Sequence, residues 1–215
     1  MVNIKKFASK FSTIRKLVKN YSLKEAHEYW INADGVNSPE LYLEGQEKSK
    51  FLVNLIDKHI KNHNATILEL GCNVGRNLNF LYTKGYRNLS GIEINSEALK
   101  LLQSKFPEMS SNISLFNSSI ESKIKELDDK KFDVVFTMAV LMHIPYESNW
   151  IFEHIARITN HILIIIENEN DFAKKNFIRN YQSLFEKFDM IQIDYLVPKE
   201  LNLNGYVVRI FKKLQ

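Results

Sequence analysis

The stretch Ile67-Leu68-Glu69-Leu70-Gly71-Cys72-Asn73-Val74-Gly75-Arg76-Asn77 decides the fold of this chain. Its apolar start is typical of a short buried strand, and its glycines predict a sharp turn into a helix. Glycine has no side chain to collide with a ligand, and amides at a helix start bind polar ligand atoms. Glu93 follows about 20 residues later, at the expected end of the next strand, where a carboxylate can accept hydrogen bonds from a ribose diol. The stretch therefore predicts a nucleoside site at a strand-turn-helix junction.

The glycine spacing differs from that of dinucleotide-binding proteins. Those proteins carry G-x-G-x-x-G, whereas this chain has Gly71, Asn73 and Gly75, with Glu69 inside the strand. Asn is the residue besides glycine that best tolerates a left-handed backbone, so we expect Asn73 to replace a glycine at little cost. For the glycines alone, the alternative is a tight turn in some other α/β domain.

Length and composition favour one globular domain, with room for an N-terminal extension. The chain has 215 residues, of which 45% are hydrophobic and 12% aromatic, enough for a full core. Its one cysteine, Cys72, excludes an internal disulfide and a multi-cysteine zinc site. No apolar run approaches the roughly 20 residues that span a bilayer, and the N-terminus does not resemble a signal peptide, so we expect a cytoplasmic protein.

The basic charge is concentrated at the N-terminus. The chain carries a net charge of +4, but residues 1–20 contain six Lys or Arg and no acidic residue, which leaves −2 on the remainder. A nucleic-acid enzyme would carry positive charge around its active face, so this distribution argues against a nucleic-acid partner. Apolar residues in the segment recur at helical spacing and predict an amphipathic helix. That helix could pack on the domain, close the site, touch a membrane surface weakly, or bind a partner or RNA.

Strand and helix patterns alternate along the rest of the chain. Strands are predicted at 66–70, 89–94, 113–116, 132–137 and 161–166, and helices at 21–31, 45–62, 75–84, 96–105, 147–158 and 172–186. This alternation predicts a parallel sheet covered on both faces. The last two strand patterns, 189–197 and 206–212, lie too close together for a crossover helix and predict an antiparallel hairpin.

The glycine turn and the closing hairpin together resemble the class I S-adenosylmethionine-dependent methyltransferases. Motif I of that family, E/D-x-G-x-G-x-G, is similar to residues 69–75, with Asn73 at the middle glycine. The resemblance implies an α/β Rossmann-like fold with a seven-stranded mixed sheet and an antiparallel last strand. It also implies an N-terminal helical cap over residues 1–62, a cofactor domain over residues 63–215, S-adenosyl-L-methionine as methyl donor and S-adenosyl-L-homocysteine as product.

The resemblance also implies which residues bind the cofactor. The glycine loop would lie against the methionine part, and Glu69 would orient this loop or reach the amino group through water. Glu93 would hold the ribose hydroxyls, Ile94 would pack on the adenine, and Ser119 would replace the acidic residue that the family often uses at the adenine amine. The alternatives are a solvated carboxylate or helix cap for Glu93 and a polar turn for Ser119. The predicted cofactor-binding residues are Glu69, Gly71, Cys72, Asn73, Gly75, Asn77, Glu93, Ile94, Ser119, Ile120 and Met138.

Candidate catalytic residues follow the fourth and fifth strands. His143 is the predicted general base, because an imidazole that titrates near neutrality suits a hydroxyl or amine nucleophile; a histidine that only caps the strand end is the alternative. Glu167 and Glu169 belong to an acidic cluster that could bind an amine or hydroxyls or assist as base. No metal site is predicted, because acidic clusters in one segment are usually solvated loops. The predicted substrate-binding residues are Tyr29, Trp30, Tyr42 and His143, with core packing as the alternative for the three aromatic residues.

The absence of nucleic-acid methylase motifs favours a small-molecule acceptor. Residues 137–145 lack the D/N-P-P-Y/F motif, and the only cysteine lies in motif I, so no Pro-Cys nucleophile exists. The motif I stretch, residues 91–95, the histidine after strand four and residues 160–164 resemble methylases associated with bacterial capsule and surface-sugar biosynthesis. We therefore predict O- or N-methylation of a sugar, sugar nucleotide or phosphate-bearing precursor. The alternatives are an RNA or protein methyltransferase that docks through the basic N-terminal helix, a non-catalytic nucleoside-binding module and, more remotely, a dehydrogenase.

Overall fold

The computed structural model describes residues 19–201, 203 and 205–214, so the predicted amphipathic helix at the start of the chain lies almost wholly outside the described residues. The described part folds around one seven-stranded sheet in the order β3-β2-β1-β4-β5-β7-β6. The strands are β1 (Ile67–Leu70), β2 (Leu89–Glu93), β3 (Ser114–Asn117), β4 (Phe132–Met138), β5 (Thr159–Asn168), β6 (Met190–Leu196) and β7 (Tyr206–Lys213). β1 to β5 are parallel, whereas β7 pairs antiparallel with both β5 and β6. The α/β class, the seven-stranded mixed sheet and the closing hairpin are confirmed.

Helices connect the parallel strands and cover the sheet. They are α1 (Leu23–Ile31), α2 (Gln46–His59), α3 (Arg76–Thr83), α4 (Ser96–Lys105), α5 (Pro107–Asn112), α6 (Ile120–Lys123), α7 (Ile151–Ile158) and α8 (Tyr181–Phe185). Short 3-10 helices occupy Gly35–Asn37, Pro39–Leu43, Ile124–Glu126, Leu141–His143, Tyr146–Ser148, Glu186–Phe188 and Lys199–Leu201. Within the described ranges, no helix is both long and apolar enough to cross a membrane.

The predicted helix over 172–186 is wrong in its first half, because α8 begins only at Tyr181. The β5–α8 loop (residues 169–180) uses its backbone groups to bind distant segments instead of forming helical hydrogen bonds. Phe177 N donates to the Met142 carbonyl at 2.7 Å, and the Asn20 side-chain amide donates to carbonyl oxygens of three residues in the loop. The loop is therefore fixed by contacts that its own sequence does not reveal.

Alternating side chains of the strands build two apolar layers, one on each face of the sheet. Leu68, Val135 and Leu163 pack with α7 and α8 on one face. On the other face, Ile67 and Val134 pack with α2 and α3. Because both faces are covered, polar side chains of the parallel strands reach the protein surface mainly at the strand ends.

The sheet places a ligand site at the carboxyl ends of β1 and β4. The chain winds outward in one direction from β1 through β2 to β3, and in the other from β4 to β5. In open α/β sheets, ligands bind in the crevice outside the carboxyl ends of the strands at such a reversal. The cap segment (residues 19–45), which contains α1 and two 3-10 helices, is tied to the β5–α8 loop by Tyr21 N, which donates to the Lys174 carbonyl at 3.2 Å.

Candidate active site

A cavity of about 600 Å³ lies at the carboxyl ends of β1, β2 and β4 and beneath the cap segment. Its volume falls in the usual range for small-molecule sites, roughly 300–1,000 Å³. The predicted site residues that line it are Trp30, Tyr42, Glu69, Gly71, Cys72, Asn73, Asn77, Glu93, Ile94, Ser119, Ile120, Met138 and His143. The predicted residues Tyr29, Gly75, Glu167 and Glu169 lie off its wall. We call the part near β1 and β2 the cofactor end and the part near the cap segment and the β5–α8 loop the acceptor end.

The turn after β1 has a left-handed backbone at Gly71, Asn73 and Gly75, with φ values of +69°, +45° and +70°. The expectation that Asn73 adopts this conformation is confirmed. A Cβ atom on Gly71 would lie 2.5 Å from a Val140 methyl, and one on Gly75 would lie 2.4 Å from Leu102. Gly75 therefore allows close packing against α4, and it does not line the cavity.

Glu93 joins the loops that follow β1 and β2. Its Oε2 accepts from Asn73 N at 2.8 Å, and its Oε1 accepts from Asn95 N at 2.8 Å. Burial raises the pKa of this carboxyl, while the backbone donors act in the opposite direction. Each carboxylate oxygen offers two lone pairs, so both oxygens keep a position for a further donor.

A relay of hydrogen bonds runs from Glu69 to the cap segment. Asn77 Nδ2 donates to Glu69 Oε1 at 2.7 Å and Ser49 Oγ donates to Asn77 Oδ1 at 2.7 Å. Arg76 Nε donates to Ser49 Oγ at 2.8 Å, and Arg76 Nη1 donates to the Tyr42 carbonyl at 2.9 Å. Burial raises the pKa of Glu69 to about 8. Sequence reasoning assigned no role to Ser49 or Arg76, because Ser49 belongs to no motif and the partners of Arg76 lie 27 and 34 residues before it in the chain.

The cofactor end contains buried polar atoms that suit a nucleoside and amino-acid ligand. Glu69 Oε2 and Asn73 Oδ1 are buried without a hydrogen-bond partner among the described residues. An unsatisfied buried acceptor costs roughly 1–3 kcal/mol, which a ligand that donates hydrogen bonds would recover. The residues present therefore fit the ammonium and hydroxyl donors of S-adenosylmethionine.

Near Ser119, the cofactor end contains an acidic residue, Glu121, that the sequence analysis did not assign to the site. The Ser119 hydroxyl caps α6 by accepting from Ser122 N at 3.2 Å, and Ser119 lines the cavity, so its contact with adenine stays a prediction. Glu121 also lines the cavity and contacts His27 Nε2 at 3.2 Å. Burial acts to raise the pKa of Glu121, but the hydrogen bond from His27 and other contacts lower it overall. Sequence reasoning missed this pair because its members are far apart in the chain.

Cys72 forms the floor of the cofactor end beside β2. The side chain is buried, and a Cβ atom on Gly91 would lie 2.7 Å from its sulfur. Burial raises the pKa of the thiol well above its usual value, and Glu93 and Glu69 raise it further. Cys72 is therefore a packing residue in its protonated form, since the thiolate is the reactive species.

His143 stands at the acceptor end on a 3-10 turn after β4. Its Nδ1 lies 3.0 Å from the Lys175 carbonyl, which can only accept, so Nδ1 carries the proton and Nε2 is the basic nitrogen. Burial lowers the pKa of His143 to about 4, and the charge of Lys175 acts in the same direction. The ring centroid lies 4.6 Å from that of Trp30. His143 is thus a neutral, oriented imidazole on the cavity wall.

The expected position of Glu167 beside the substrate is wrong. Its side chain is fully buried; Oε1 accepts from Val140 N and Leu141 N at 3.0 Å each, and Oε2 accepts from Met142 N at 3.1 Å. Burial raises the pKa of this carboxyl to about 7. Glu167 therefore holds the turn that carries His143, because β5 continues through Asn168 and directs Glu167 inward.

Glu169 is also displaced from its expected position on the cavity wall. It forms a two-pronged ion pair with Arg209, with Nε to Oε1 at 2.7 Å and Nη2 to Oε2 at 2.8 Å. Tyr181 N donates to the same Oε1 at 3.3 Å. Glu169 thus links the end of β5 to β7 and α8, and its acidic neighbour Asp171 is the cluster member that lines the cavity.

The aromatic residues of the cap segment separate into two positions. Trp30 and Tyr42 line the cavity, and burial raises the pKa of Tyr42. Tyr29 lies behind them, where its hydroxyl accepts from Asn37 Nδ2 at 2.6 Å. The acceptor end also includes Lys175, which sequence reasoning missed because its loop was predicted as helix. Across the described ranges, no group of three or more His, Cys, Asp or Glu side chains is placed to hold a metal ion.

Comparisons with known proteins agree with this geometry. Residues 67–161 match the family model described as a methyltransferase domain. The chain is similar to the tRNA U34 carboxymethyltransferase of Nautilia profundicola, with 29% identity over 111 residues, and the match spans 49% of this chain and only 35% of that relative. In structure it is similar to the PH0226 protein from Pyrococcus horikoshii OT3, with a TM-score of 0.65, 15% identity and coverage of 90% of this chain and 100% of that chain.

A second structural neighbour was crystallised with the product of the methyl donor. It is the geranyl diphosphate C-methyltransferase from Streptomyces coelicolor A3(2), in complex with Mg²⁺, geranyl diphosphate and S-adenosyl-L-homocysteine. Its TM-score is 0.63, with 9% identity and coverage of 78% of this chain and 77% of that chain. Residues 67–161 are therefore similar to a methyltransferase domain, and the described part of the chain has the class I fold of these structural neighbours.

Proposed function

We propose that this methyltransferase domain transfers the methyl group of S-adenosylmethionine to an oxygen or nitrogen of a small molecule. The acceptor class that we propose is a sugar, sugar nucleotide or phosphate-bearing precursor of bacterial capsule or surface polysaccharide, methylated in the cytoplasm. One observation carries the proposal: a single cavity of about 600 Å³ has the glycine turn and Glu93 at one end and an oriented imidazole, His143, at the other. Such a volume suits a cofactor with a small acceptor beside it.

The cofactor end supports a specific set of binding roles. We assign the ribose hydroxyls to Glu93 and the adenine faces to Ile94 and Ile120. We assign the ammonium group to Oε2 of Glu69, whose ionised form the bound positive charge would stabilise against the effect of burial. Asn73, Cys72 and the Gly71 backbone would complete the methionine side. When bound, S-adenosylmethionine supplies an electrophilic methyl group on a sulfonium, which an in-line nucleophile displaces.

At the acceptor end, His143 would remove the proton of the nucleophile. With Nδ1 donating to the Lys175 carbonyl, Nε2 presents its lone pair to an acceptor hydroxyl or amine. A pKa of about 4 makes this nitrogen a weak base that is nevertheless in the basic form from about pH 5 upward. Most of the rate acceleration would then come from alignment, which contributes up to about 7–11 kcal/mol in well-oriented reactions.

Two measurements test the proposed function. S-adenosylhomocysteine should raise the melting temperature of the full chain and NADH should not, because only a ligand of the folded state stabilises it. Transfer of labelled methyl groups should then be measured to sugars, sugar phosphates and sugar nucleotides. Methylation of RNA or protein alone would contradict the proposal, as would cofactor binding without turnover on any acceptor.

Because one relative acts on tRNA, the alternative of an RNA methyltransferase needs its own test. A variant lacking residues 1–18 removes five of the six basic residues of the N-terminal segment and keeps Asn20, which binds the β5–α8 loop. An RNA enzyme that docks through this segment would lose activity and salt-sensitive binding together. Under our proposal, the truncated protein does not gain or lose RNA methylation, because full-length protein has none.

A further inference from the structure

We propose that the acceptor carries an anionic group, a carboxylate or a phosphate, and that the ammonium group of Lys175 binds it at the acceptor end. This inference rests on the proposed function, since it names the chemistry of the molecule that shares the cavity with the cofactor. It assigns a binding role to a residue of the β5–α8 loop rather than to any methyltransferase motif.

Lys175 is a half-buried cation on the cavity wall without a charged partner. Its Nζ lies 3.3 Å from the Tyr29 hydroxyl and 3.3 Å from Asn37 Oδ1. It forms no ion pair with any carboxylate of the described residues. The other cation at the rim of the loop, Lys174, is exposed and does not line the cavity.

The surroundings of Lys175 stabilise its charge only in part. The Nζ atom lies 5.3 Å from the ring centroids of both Tyr29 and Trp30, within the range of a cation–π contact. Two neutral acceptors and two rings leave the ammonium without the counter-charge that a buried ion needs. An anion that enters the cavity would supply it through a charge-assisted hydrogen bond.

The acidic residues that line the cavity do not supply this counter-charge. Asp171 lines the same end, but its Oδ2 accepts from Asn176 Nδ2 at 2.8 Å and makes no ion pair with a lysine. The carboxylates of Glu69 and Glu93 belong to the cofactor end, where they bind Asn77 and backbone amides. Two more carboxylates line the cavity: Glu121 contacts His27 at 3.2 Å, and Glu44 forms no ion pair with Lys175. The positive charge at the acceptor end is therefore available to a ligand.

The position of Lys175 connects anion binding to catalysis. Its carbonyl oxygen accepts from His143 Nδ1 at 3.0 Å, so one residue both orients the imidazole and presents the ammonium group. The backbone of Lys175 thus orients His143, and its side chain would hold the anionic group of the acceptor. Together they would fix the position of the acceptor nucleophile relative to His143 Nε2. We infer that Lys175 selects acceptors by charge and sets the distance between the anion and the methylated atom.

The first experiment measures anion binding directly. Lys175→Met removes the charge and keeps an unbranched side chain, and Lys174→Met, its exposed neighbour over the Tyr21 ring at 4.7 Å, is the matched control. Full-length protein saturated with S-adenosylhomocysteine is titrated with inorganic phosphate, acetate and, as neutral probe, glycerol, and Trp30 fluorescence is followed in a Trp150→Phe background. We expect phosphate or acetate to bind at least tenfold more weakly to Lys175→Met than to Lys174→Met, and glycerol to distinguish none of the proteins.

The outcomes separate this inference from the proposed function. Equal anion affinity in the two variants, or no anion binding to any protein, overturns the inference while S-adenosylhomocysteine binding still supports the proposed function. Failure of S-adenosylhomocysteine to bind the unmodified chain overturns the proposed function itself. If Lys175→Met does not fold, Lys175→Arg gives the same decision, because it should retain anion binding and Lys175→Gln should lose it.

The second experiment identifies the anion and uses turnover. Glucose, glucose 6-phosphate and glucuronic acid are compared as acceptors that differ in one group. Preference for the phosphate or for the uronate over glucose by at least tenfold in kcat/KM names the anion, and this preference should vanish in Lys175→Met. Equal use of glucose and its charged analogues by the unmodified protein overturns the inference.

Discussion

The two ends of the cavity are held by different kinds of contact. At the cofactor end, Glu93 binds the amide of Asn73, and both residues terminate or follow neighbouring strands. At the acceptor end, His143 is oriented by the Lys175 carbonyl, and Lys175 in turn contacts Tyr29 on a distant helix. The cofactor end is thus set by the sheet, whereas the acceptor end depends on the docking of the cap segment and a loop. We expect variants at the first end to change cofactor affinity and variants at the second to change turnover and acceptor choice.

The sharpest test of this division is His143→Gln. Loss of a general base lowers turnover by about 10²–10⁴-fold, and we expect the dissociation constant of S-adenosylhomocysteine to stay within about twofold. His161→Gln, an exposed substitution on β5, is the control and should leave both values unchanged. Comparable losses of cofactor affinity in His143→Ala and Glu93→Ala would contradict the division into two ends.

The pH profile of the same enzyme gives a signed prediction. The folded-state pKa of His143 is lowered to about 4 from 6.5, so the unfolded chain binds the proton more readily between these values. Stability linked to this group is therefore present above about pH 6.5 and is lost as pH falls towards 4. Turnover should show no inflection near pH 6.5 that depends on His143, and an inflection there that disappears in His143→Gln would contradict the lowered pKa.

A second variant distinguishes support from chemistry at the end of β5. Glu169→Ala leaves the guanidinium of Arg209 buried without its partner, which costs about 3–5 kcal/mol of unfolding free energy. Turnover per folded molecule should be unchanged, because Glu169 lies off the cavity wall. Chemical denaturation and active-site titration measure the two effects, and the double variant Glu169→Ala/Arg209→Met should recover part of the stability. A large loss of turnover in a fully stable Glu169→Ala protein would restore the catalytic hypothesis.

At the cofactor end we expect a smaller, affinity-only effect from Glu93→Gln. Hydrogen bonds to a charged group contribute about 1.5–3 kcal/mol, so S-adenosylhomocysteine should bind roughly 10–100-fold more weakly. Turnover at saturating cofactor should remain close to that of the unmodified protein. Calorimetric titration with S-adenosylhomocysteine measures the affinity, and a fall in saturated turnover with unchanged affinity would contradict the role of Glu93.

The smallest effect is expected in the glycine turn itself. Asn73 has a φ of +45°, which glycine adopts freely and other L-residues adopt at a cost of about 1–2 kcal/mol. Asn73→Gly should therefore change the free energy of unfolding by less than about 1 kcal/mol, and Asn73→Ala should lose about 1–2 kcal/mol. Equal destabilisation by the two substitutions would show that the Asn73 side chain, rather than its backbone conformation, stabilises the turn.

The sequence could predict the cofactor end because its signals are local. The apolar run of β1, the glycine turn and Glu93 lie within one βαβ unit, and strand alternation then determines the sheet and its closing hairpin. The seven-stranded topology follows from these short-range patterns together with short connections. The fold class therefore agrees with expectation, and ten of the eleven predicted cofactor-binding residues line the cavity, the exception being Gly75.

The acceptor end could not be predicted to the same extent because its partners are remote in sequence. From the sequence, Glu167 is indistinguishable from a free carboxylate. In the structure, three backbone N–H groups of the turn after β4 donate hydrogen bonds to it. Lys175 lies in a loop whose composition resembles a helix, and contacts with Asn20, Met142 and His143, all remote in sequence, fix the backbone of that loop. Tertiary contacts of this kind override local propensity, which leaves no periodic signal to recognise.

The packing of Cys72 has a practical consequence for measuring motion in this enzyme. It is the only thiol in the chain, and it is buried beneath the glycine turn with a raised pKa. A thiol reagent can reach it only through the cavity or when the turn opens, so the labelling rate of the unmodified protein reports how accessible the floor of the cofactor end is. Without any engineered probe, the labelling rate of Cys72 therefore measures how well each ligand covers the floor of the cofactor end.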